Sequence, residues 1–180
     1  MRIIGGIFGG KHLSPPKSLP VRPTTDFAKE GLFNILNNVV DFEELLVLDL
    51  FCGTGNISLE FASRGAKKIL SIDNHSPCLN YVKDISKQLG LKNIFTERAD
   101  VFSFLSKPHA QYNLIFADPP YELKNIESIY DFVFDNKCLL NDGILIIEHG
   151  AKTNFKNKKY FIETRKYGNV HFSFFKLNDN

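Results

Sequence analysis

Two consecutive prolines, Pro119 and Pro120, constrain the architecture more than any other feature of the sequence. They close a short apolar run, Tyr112 to Ala117, that has the length and composition of a buried strand. Neither proline can donate to a sheet ladder and both have φ fixed, so the strand has to stop at Asp118. A carboxylate, two stiff carbonyls and the ring of Tyr121 are then gathered at the carboxyl end of that strand. In open α/β sheets this is the edge where ligands bind. The set suits a planar amino group, with Asp118 and the Pro119 carbonyl each accepting one N–H and Tyr121 covering the attached ring. An Asp-Pro-Pro sequence is also an ordinary turn, so a second, independent motif is needed.

That motif lies upstream. Glu44 to Leu50 reads as an apolar strand, Phe51-Cys52-Gly53-Thr54-Gly55-Asn56 as a glycine turn, and Ile57 to Ala62 has helical spacing. Strand, glycine turn and helix form the first crossover of a nucleotide-binding sheet. Gly53 and Gly55 allow positive φ and close approach of a ligand to the backbone. Ser58 stands where G-x-G-x-x-G has its third glycine, and Asp49 would repel a pyrophosphate. Asp49 suits instead a cationic group such as an amino acid ammonium. The next strand, Lys68 to Ile72, ends at Asp73, 18 residues past Gly55, where an acid can accept from a ribose diol. A third strand, Lys92 to Arg98, runs into Asp100, which can accept from an adenine amino group. An amino acid end, a ribose and an adenine together describe S-adenosylmethionine. Acids at strand ends also cap helices, but three of them in register with the glycines and Asp118 favour the ligand.

The remaining segments complete the sheet. Thr24, Thr25 or Asp26 caps a helix running to about Asn37; Ser76 to Leu89, opened by Pro77, and Ser128 to Asn136 are further helices. Gly143 to Glu148 is a fifth strand, and Tyr160 to Arg165 with Val170 to Leu177 form a late antiparallel hairpin turning at Gly168. The expected fold is α/β: a doubly wound, mostly parallel, seven-stranded sheet with a terminal antiparallel hairpin.

Charge divides the chain. Residues 1–25 carry Arg2, Lys11, Lys17 and Arg22 with no acid, and residues 151–180 have seven basic against two acidic side chains. The middle is acidic, so the chain as a whole is only +2. A polyanion would be drawn to the ends. The acid-free, glycine-rich start reads as a short β-hairpin arm, and Ser14 to Pro20 as a loop. The expected organisation is therefore an arm over 1–25 and a globular domain over 26–180. Cys52, Cys78 and Cys138 lack CxxC spacing, which argues against a disulfide framework or a zinc site and fits a reducing cytoplasm. The five histidines have no spacing that marks a metal site or a triad. The first residues do not read as a signal peptide, no apolar stretch approaches a membrane span, and nothing demands a dimer, so a cytoplasmic monomer is expected.

Met1-Arg2-Ile3-Ile4, Arg22-Pro23-Thr24-Thr25, Lys29-Glu30, Leu32-Phe33-Asn34, Asp49 to Gly55 and Asp118 to Tyr121 occur in the order in which they resemble the RsmD family of bacterial methyltransferases. The glycine turn and Asp-Pro-Pro-Tyr are common to many amino-group methyltransferases, whereas the Arg-Pro-Thr segment behind a basic arm narrows the resemblance. It implies a Rossmann-like, class I fold and transfer of a methyl group from S-adenosylmethionine to the exocyclic N2 of a guanine. The substrate it implies is 16S ribosomal RNA, free or in an assembled or assembling small subunit, and the second product is S-adenosylhomocysteine. It also implies that Asp49, Phe51, Gly53, Gly55, Asp73, Asn74, Asp100 and Val101 line the cofactor pocket beside Asp118. Asp118, Pro119, Pro120 and Tyr121 would hold the base, Arg2, Lys11 and Arg22 would grip RNA, and no metal would take part. Similar sequences are more basic where this chain has Gly9, His12 and Phe27, which implies a weaker grip. Three alternatives stand beside this reading. They are an adenine or cytosine amino methyltransferase acting on DNA, a protein-glutamine methyltransferase, and a non-catalytic RNA-binding assembly factor. A nicotinamide dehydrogenase is disfavoured by the missing third glycine.

Overall fold

The computed structural model describes residues 1–19, 24–107, 109–120 and 122–177. Among these, seven strands form one sheet: β1 (Leu46–Leu50), β2 (Lys68–Asp73), β3 (Ile94–Arg98), β4 (Tyr112–Ala117), β5 (Leu139–His149), β6 (Phe161–Tyr167) and β7 (Val170–Lys176). Their order is β3-β2-β1-β4-β5-β7-β6. The first five are parallel, β7 runs antiparallel to β5, and β6 antiparallel to β7. The order reverses between β1 and β4, which opens the crevice in which doubly wound sheets bind ligands.

Helices cover both faces: α1 (Asp26–Leu36), α2 (Asn56–Ser63), α3 (Ser76–Leu89), α4 (Val101–Leu105) and α5 (Glu127–Asp135). Alternation along the strands sorts the core. Leu48, Leu50, Ile115, Leu145 and Ile147 pack with Val133 of α5 and with Phe155. Val47, Phe116, Ile146 and Phe172 pack on the opposite face with Phe33 of α1 and Phe61 of α2. The Phe33 and Phe61 rings meet edge to face at 4.8 Å, a geometry worth about 0.5–1.5 kcal/mol beyond area burial. Thr25 caps α1, its hydroxyl accepting from Ala28 N at 3.2 Å. Pro77 in the first turn and Gly90 in the left-handed region bound α3.

Three differences from the sequence reading have local causes. First, β5 begins four residues before Gly143, because the register with β4 shifts between Tyr112 and Leu114 and Asp142 takes a positive φ of 60°. Second, α4 is too short to show a period in the sequence. Third, the expected N-terminal hairpin is short: Arg2 and His12 form an antiparallel bridge, Ile3 N donates to Lys11 O and Leu13 N to Met1 O, both at 2.9 Å, and the chain reverses around a 3-10 turn at Gly6–Phe8. Two amides beside its turn reach α2 instead: Ile4 N and Gly5 N donate to the Glu60 carboxylate of α2 at 2.7 and 2.8 Å. Phe8 N donates to Ser63 Oγ, which in turn donates to Gly5 O. The arm is thus docked on α2, with Ile3 and Leu13 buried around Leu59.

Candidate functional site

Asp49, Asp118 and Glu148 fall at or just beyond the carboxyl ends of β1, β4 and β5. All three share the alternation phase of Phe116 and Ile146, so they point to the α1/α2 face. The pairing of Ala117 with Ile147 sets Asp118 beside Glu148. Asp118 is half-buried, Pro119 buried and Pro120 exposed, and Asp118 N donates to Leu50 O at 3.3 Å. The prolines do end β4 at Ala117, as their chemistry requires.

A cavity of about 460 Å³ opens in front of this edge, within the size range of small-molecule sites. Thr24, Asp49, Gly53, Asp73, Asn74 and Asp118 are among its lining residues, and Phe51, Asn56 and Pro119 also face it. Its described lining holds Asp49, Asp73, Asp118 and Glu122 but no Lys or Arg. The glycine turn is left-handed at Phe51 (φ 59°), Gly53 (51°) and Gly55 (74°). Phe51 is the costly member, because a bulky residue with positive φ is strained by about 1–3 kcal/mol and persists only where its surroundings hold it. The Asp73 carboxylate provides part of that hold: Oδ2 accepts from Gly53 N and Oδ1 from His75 N, both at 2.8 Å. Each oxygen keeps a second lone pair for a ligand hydroxyl.

The expected residues do not all converge. Gly55 is absent from the cavity lining; it caps α2, and a Cβ there would approach Val82 Cγ2 to 2.8 Å, so it serves close helix packing. Asp100 and Val101 also lie outside the lining, and Asp100 is exposed and accepts from Ser103 N at 2.9 Å to cap α4. Arg2 pairs with Asp26 at 3.4 Å and Lys11 is exposed. Tyr121 and Arg22 lie outside the described residues.

Burial dominates the electrostatics. Desolvation raises the Asp49 carboxyl to about 7, against the Ser58 hydroxyl that hydrogen-bonds to it. Desolvation also raises Glu148 to about 7, opposed by the Thr24 hydroxyl, which donates to Oε2 at 2.9 Å. Asp118 is pushed well above the carboxylate range by desolvation and then by the charges of Glu148 and Asp49. The three buried thiols are shifted the same way, Cys78 to about 11 and Cys138 to about 12, which leaves no thiolate nucleophile at neutral pH.

The sequence reading missed Thr24 as more than a helix cap, and it missed Asn56 and Glu148. Glu148 carried the signal used for Asp49 and Asp73, an acid at a strand's carboxyl end. Asn56 joins the site to α1: it receives Lys29 Nζ at 2.8 Å and donates to Thr24 O at 3.1 Å. Among the described residues, no group of three or more His, Cys, Asp or Glu could hold a metal, and no helix is long and apolar enough to cross a membrane.

Residues 1–176 match the model of the family called Conserved hypothetical protein 95. The chain is 33% identical over 156 residues to the ribosomal RNA small subunit methyltransferase D of Escherichia coli (strain K12), covering 82% of this chain and 74% of that one. It is 28% identical over 154 residues to the protein of the same name from Buchnera aphidicola subsp. Baizongia pistaciae, covering 86% and 78%. A solved structure named as a putative methyltransferase from Escherichia coli superposes with a TM-score of 0.88 at 24% identity, covering 100% of this chain and 99% of that one. The fold is that of the class I methyltransferases.

Proposed function

This chain belongs to the RsmD family, matched over residues 1–176, and on that premise we propose that it methylates the exocyclic N2 of a guanine in 16S ribosomal RNA. The relatives' names support a ribosomal RNA methyltransferase using S-adenosylmethionine. The finer reading rests on one observation: Asp118 and Pro119 line a cavity that also holds the glycine turn, Asp73 and Asn74.

The donor set fits S-adenosylmethionine. The cavity gathers carboxylates without a described Lys or Arg, so a ligand bearing a sulfonium and an ammonium supplies the missing positive charge. Gly53, Asp73 and Asn74 would hold its nucleoside portion and the Asp49 side its amino acid portion. When bound, it supplies an electrophilic methyl group. The protein's part is orientation and electrostatics. A guanine amino nitrogen is a poor nucleophile because its lone pair is delocalised into the ring. Asp118 and the Pro119 carbonyl, each accepting one N–H, turn that lone pair toward the methyl group. Pro119 is buried and fixed in φ, which keeps its carbonyl in place. Tyr121 would stack on the base, an interaction worth roughly 1–3 kcal/mol.

Arg2, Lys11 and Arg22 would bind phosphates of the RNA, which adds affinity without sequence information. The substrate would be 16S ribosomal RNA, free or in a small subunit, and the enzyme a cytoplasmic monomer without a metal. The test is Asp118→Ala, with methyl transfer and S-adenosylmethionine binding measured in parallel. Transfer lost with binding kept within a few-fold is expected. Full activity in the variant would overturn the mechanism.

A further inference from the structure

A single apolar side chain on a folded surface is ordinary. Two aromatic rings held together at the edge that carries a ligand site are not. Phe27 is 67% exposed and stands in the first turn of α1, three residues after the cavity-lining Thr24. It meets Tyr167 edge to face, with ring centroids 5.8 Å apart.

The sheet register puts Tyr167 on the ligand edge. β7 is antiparallel to β5 and β6 to β7, so β6 runs with the parallel strands and ends where they end. Phe172 pairs with both Glu148 and Arg165, which sets Tyr167 two residues beyond the level of Glu148. Across the sheet, β6 is three strands from β4, about 14 Å from the strand that leads into Asp118.

The Tyr167 ring is held from two sides. Phe172, fully buried, meets it at 5.9 Å. On the α1 side, a Cβ at Gly31 would run into Cε1 and Cζ of the ring, so only glycine lets Tyr167 lie against the helix backbone. Glycine inside a helix is destabilising, and here it stands where it lets the ring settle at the rim. The two rings head a groove of about 600 Å³ that continues along α1 past Glu30 and Asn34.

The groove suits a nucleobase and not a phosphate. Its described lining holds two aromatic rings, the Glu30 carboxylate and the amides of Asn34 and Asn38, with no Lys or Arg. Glu30 repels phosphate but accepts from a base amino group, and an amide can pair with a base edge. The positive charge stands at the margins of the same edge: Lys166 precedes Tyr167 and Lys152 follows β5, both exposed.

We propose that Phe27 and Tyr167 form a stacking platform for an unpaired base of the RNA strand that presents the target guanine. The strand places one base at Asp118 and lays another, a few nucleotides along the chain, on the platform, while Lys152 and Lys166 face its phosphates. Stacking tolerates any base, so the platform selects for single-stranded or looped RNA, whose bases are free to leave the stack, over a duplex. A ring at position 27 in place of a charge is then a change in the kind of grip.

The inference rests on the proposed action on RNA, and the tests keep the two apart. The first needs no turnover: affinity of the full chain for a short single-stranded oligoadenylate at several salt concentrations. Phe27→Ala should bind about 5- to 100-fold more weakly than wild type, the loss of one stacked base. The slope of log affinity against log salt should stay as in wild type, because no phosphate contact is removed. Phe27→Trp should bind at least as tightly as wild type. The Phe27 side chain is exposed, so the variants should keep the fold, and S-adenosylmethionine binding checks that. Equal affinities of wild type and Phe27→Ala, a lowered salt slope in Phe27→Ala, or no binding of oligoadenylate by wild type each overturn the proposal.

The second is steady-state methyl transfer to free 16S ribosomal RNA and to small-subunit particles. Phe27→Ala should raise KM on both and leave kcat unchanged, the mark of lost uniform binding. A loss confined to particles, with oligoadenylate and free RNA bound as by wild type, would assign the groove to a protein of the particle and overturn the proposal. If wild type transfers no methyl to RNA, the proposed function falls, while the oligoadenylate comparison is still decisive for the platform.

Discussion

Replacing Lys29 by Met should unfasten the N-terminal arm and α1 from α2 at a cost that can be worked from the contacts. Lys29 is fully buried, and its ammonium donates to Arg2 O at 2.5 Å and Asn56 Oδ1 at 2.8 Å and lies 3.4 Å from Glu60 Oε2. Met keeps most of the stem and removes the charge. Removing one partner of a buried ion pair costs about 3–5 kcal/mol, because the other charge stays buried. Glu60 retains Arg64 Nε at 2.9 Å and the Ile4 and Gly5 amides, which places the loss near the lower end, about 3 kcal/mol. For a chain of this size that corresponds to a fall of roughly 6–12 °C in Tm. Urea unfolding read by circular dichroism measures it. The double variant Lys29→Met/Glu60→Gln should lose less than the sum of the single losses, since the two sites share one network. A loss below about 1 kcal/mol for Lys29→Met, or strictly additive losses, would refute the reasoning.

Gly6→Ala should free the arm by another route: a Cβ at this left-handed residue would lie 1.9 Å from Ser63 O, so stability should fall by more than about 1 kcal/mol and proteolysis within residues 1–13 should accelerate. Native resistance to protease would contradict the docking. The raised carboxyls make stability pH-dependent. Asp49 and Glu148 hold protons in the folded state up to about pH 7 but lose them near pH 4 when unfolded, so the folded state binds more protons between those values. Stability should therefore fall as pH rises from about 4 to 7, by on the order of 3 kcal/mol per carboxyl, and then flatten. Glu148→Gln should reduce that slope, and an unchanged slope would count against the assignment. If Lys11 contacts phosphate, Lys11→Ala should lower the slope of log affinity against log salt by about 0.7–0.9, measured by RNA binding at several salt concentrations.

The parts of the fold legible in the sequence are those set by punctuation and period. The prolines after Ala117, the glycines after Phe51 and Pro77 at the start of α3 fix ends by backbone chemistry alone, and the acids at Asp49, Asp73 and Asp118 sit at strand ends on an edge where ligands bind. The hidden parts depend on tertiary contact. Glu60 and Lys29 look like solvated helix charges, yet both are buried, because the arm covers the outer face of α2. The same contact holds the short N-terminal hairpin against α2, since Glu60 takes the amides of Ile4 and Gly5. Asp100 has the position of an adenine acceptor and one of its oxygens also caps α4, a second local use that spacing does not reveal. Thr24 and Glu148 are 124 residues apart and meet only once β5 lies beside β4.

The most direct test of the account is transfer of labelled methyl from S-adenosylmethionine to small ribosomal particles, free 16S ribosomal RNA and duplex DNA, followed by nucleoside digestion. The account predicts label in N2-methylguanosine from the RNA or the particles and none in DNA. Label in methyladenine or methylcytosine of DNA, or none in any substrate while the cofactor binds, would contradict it.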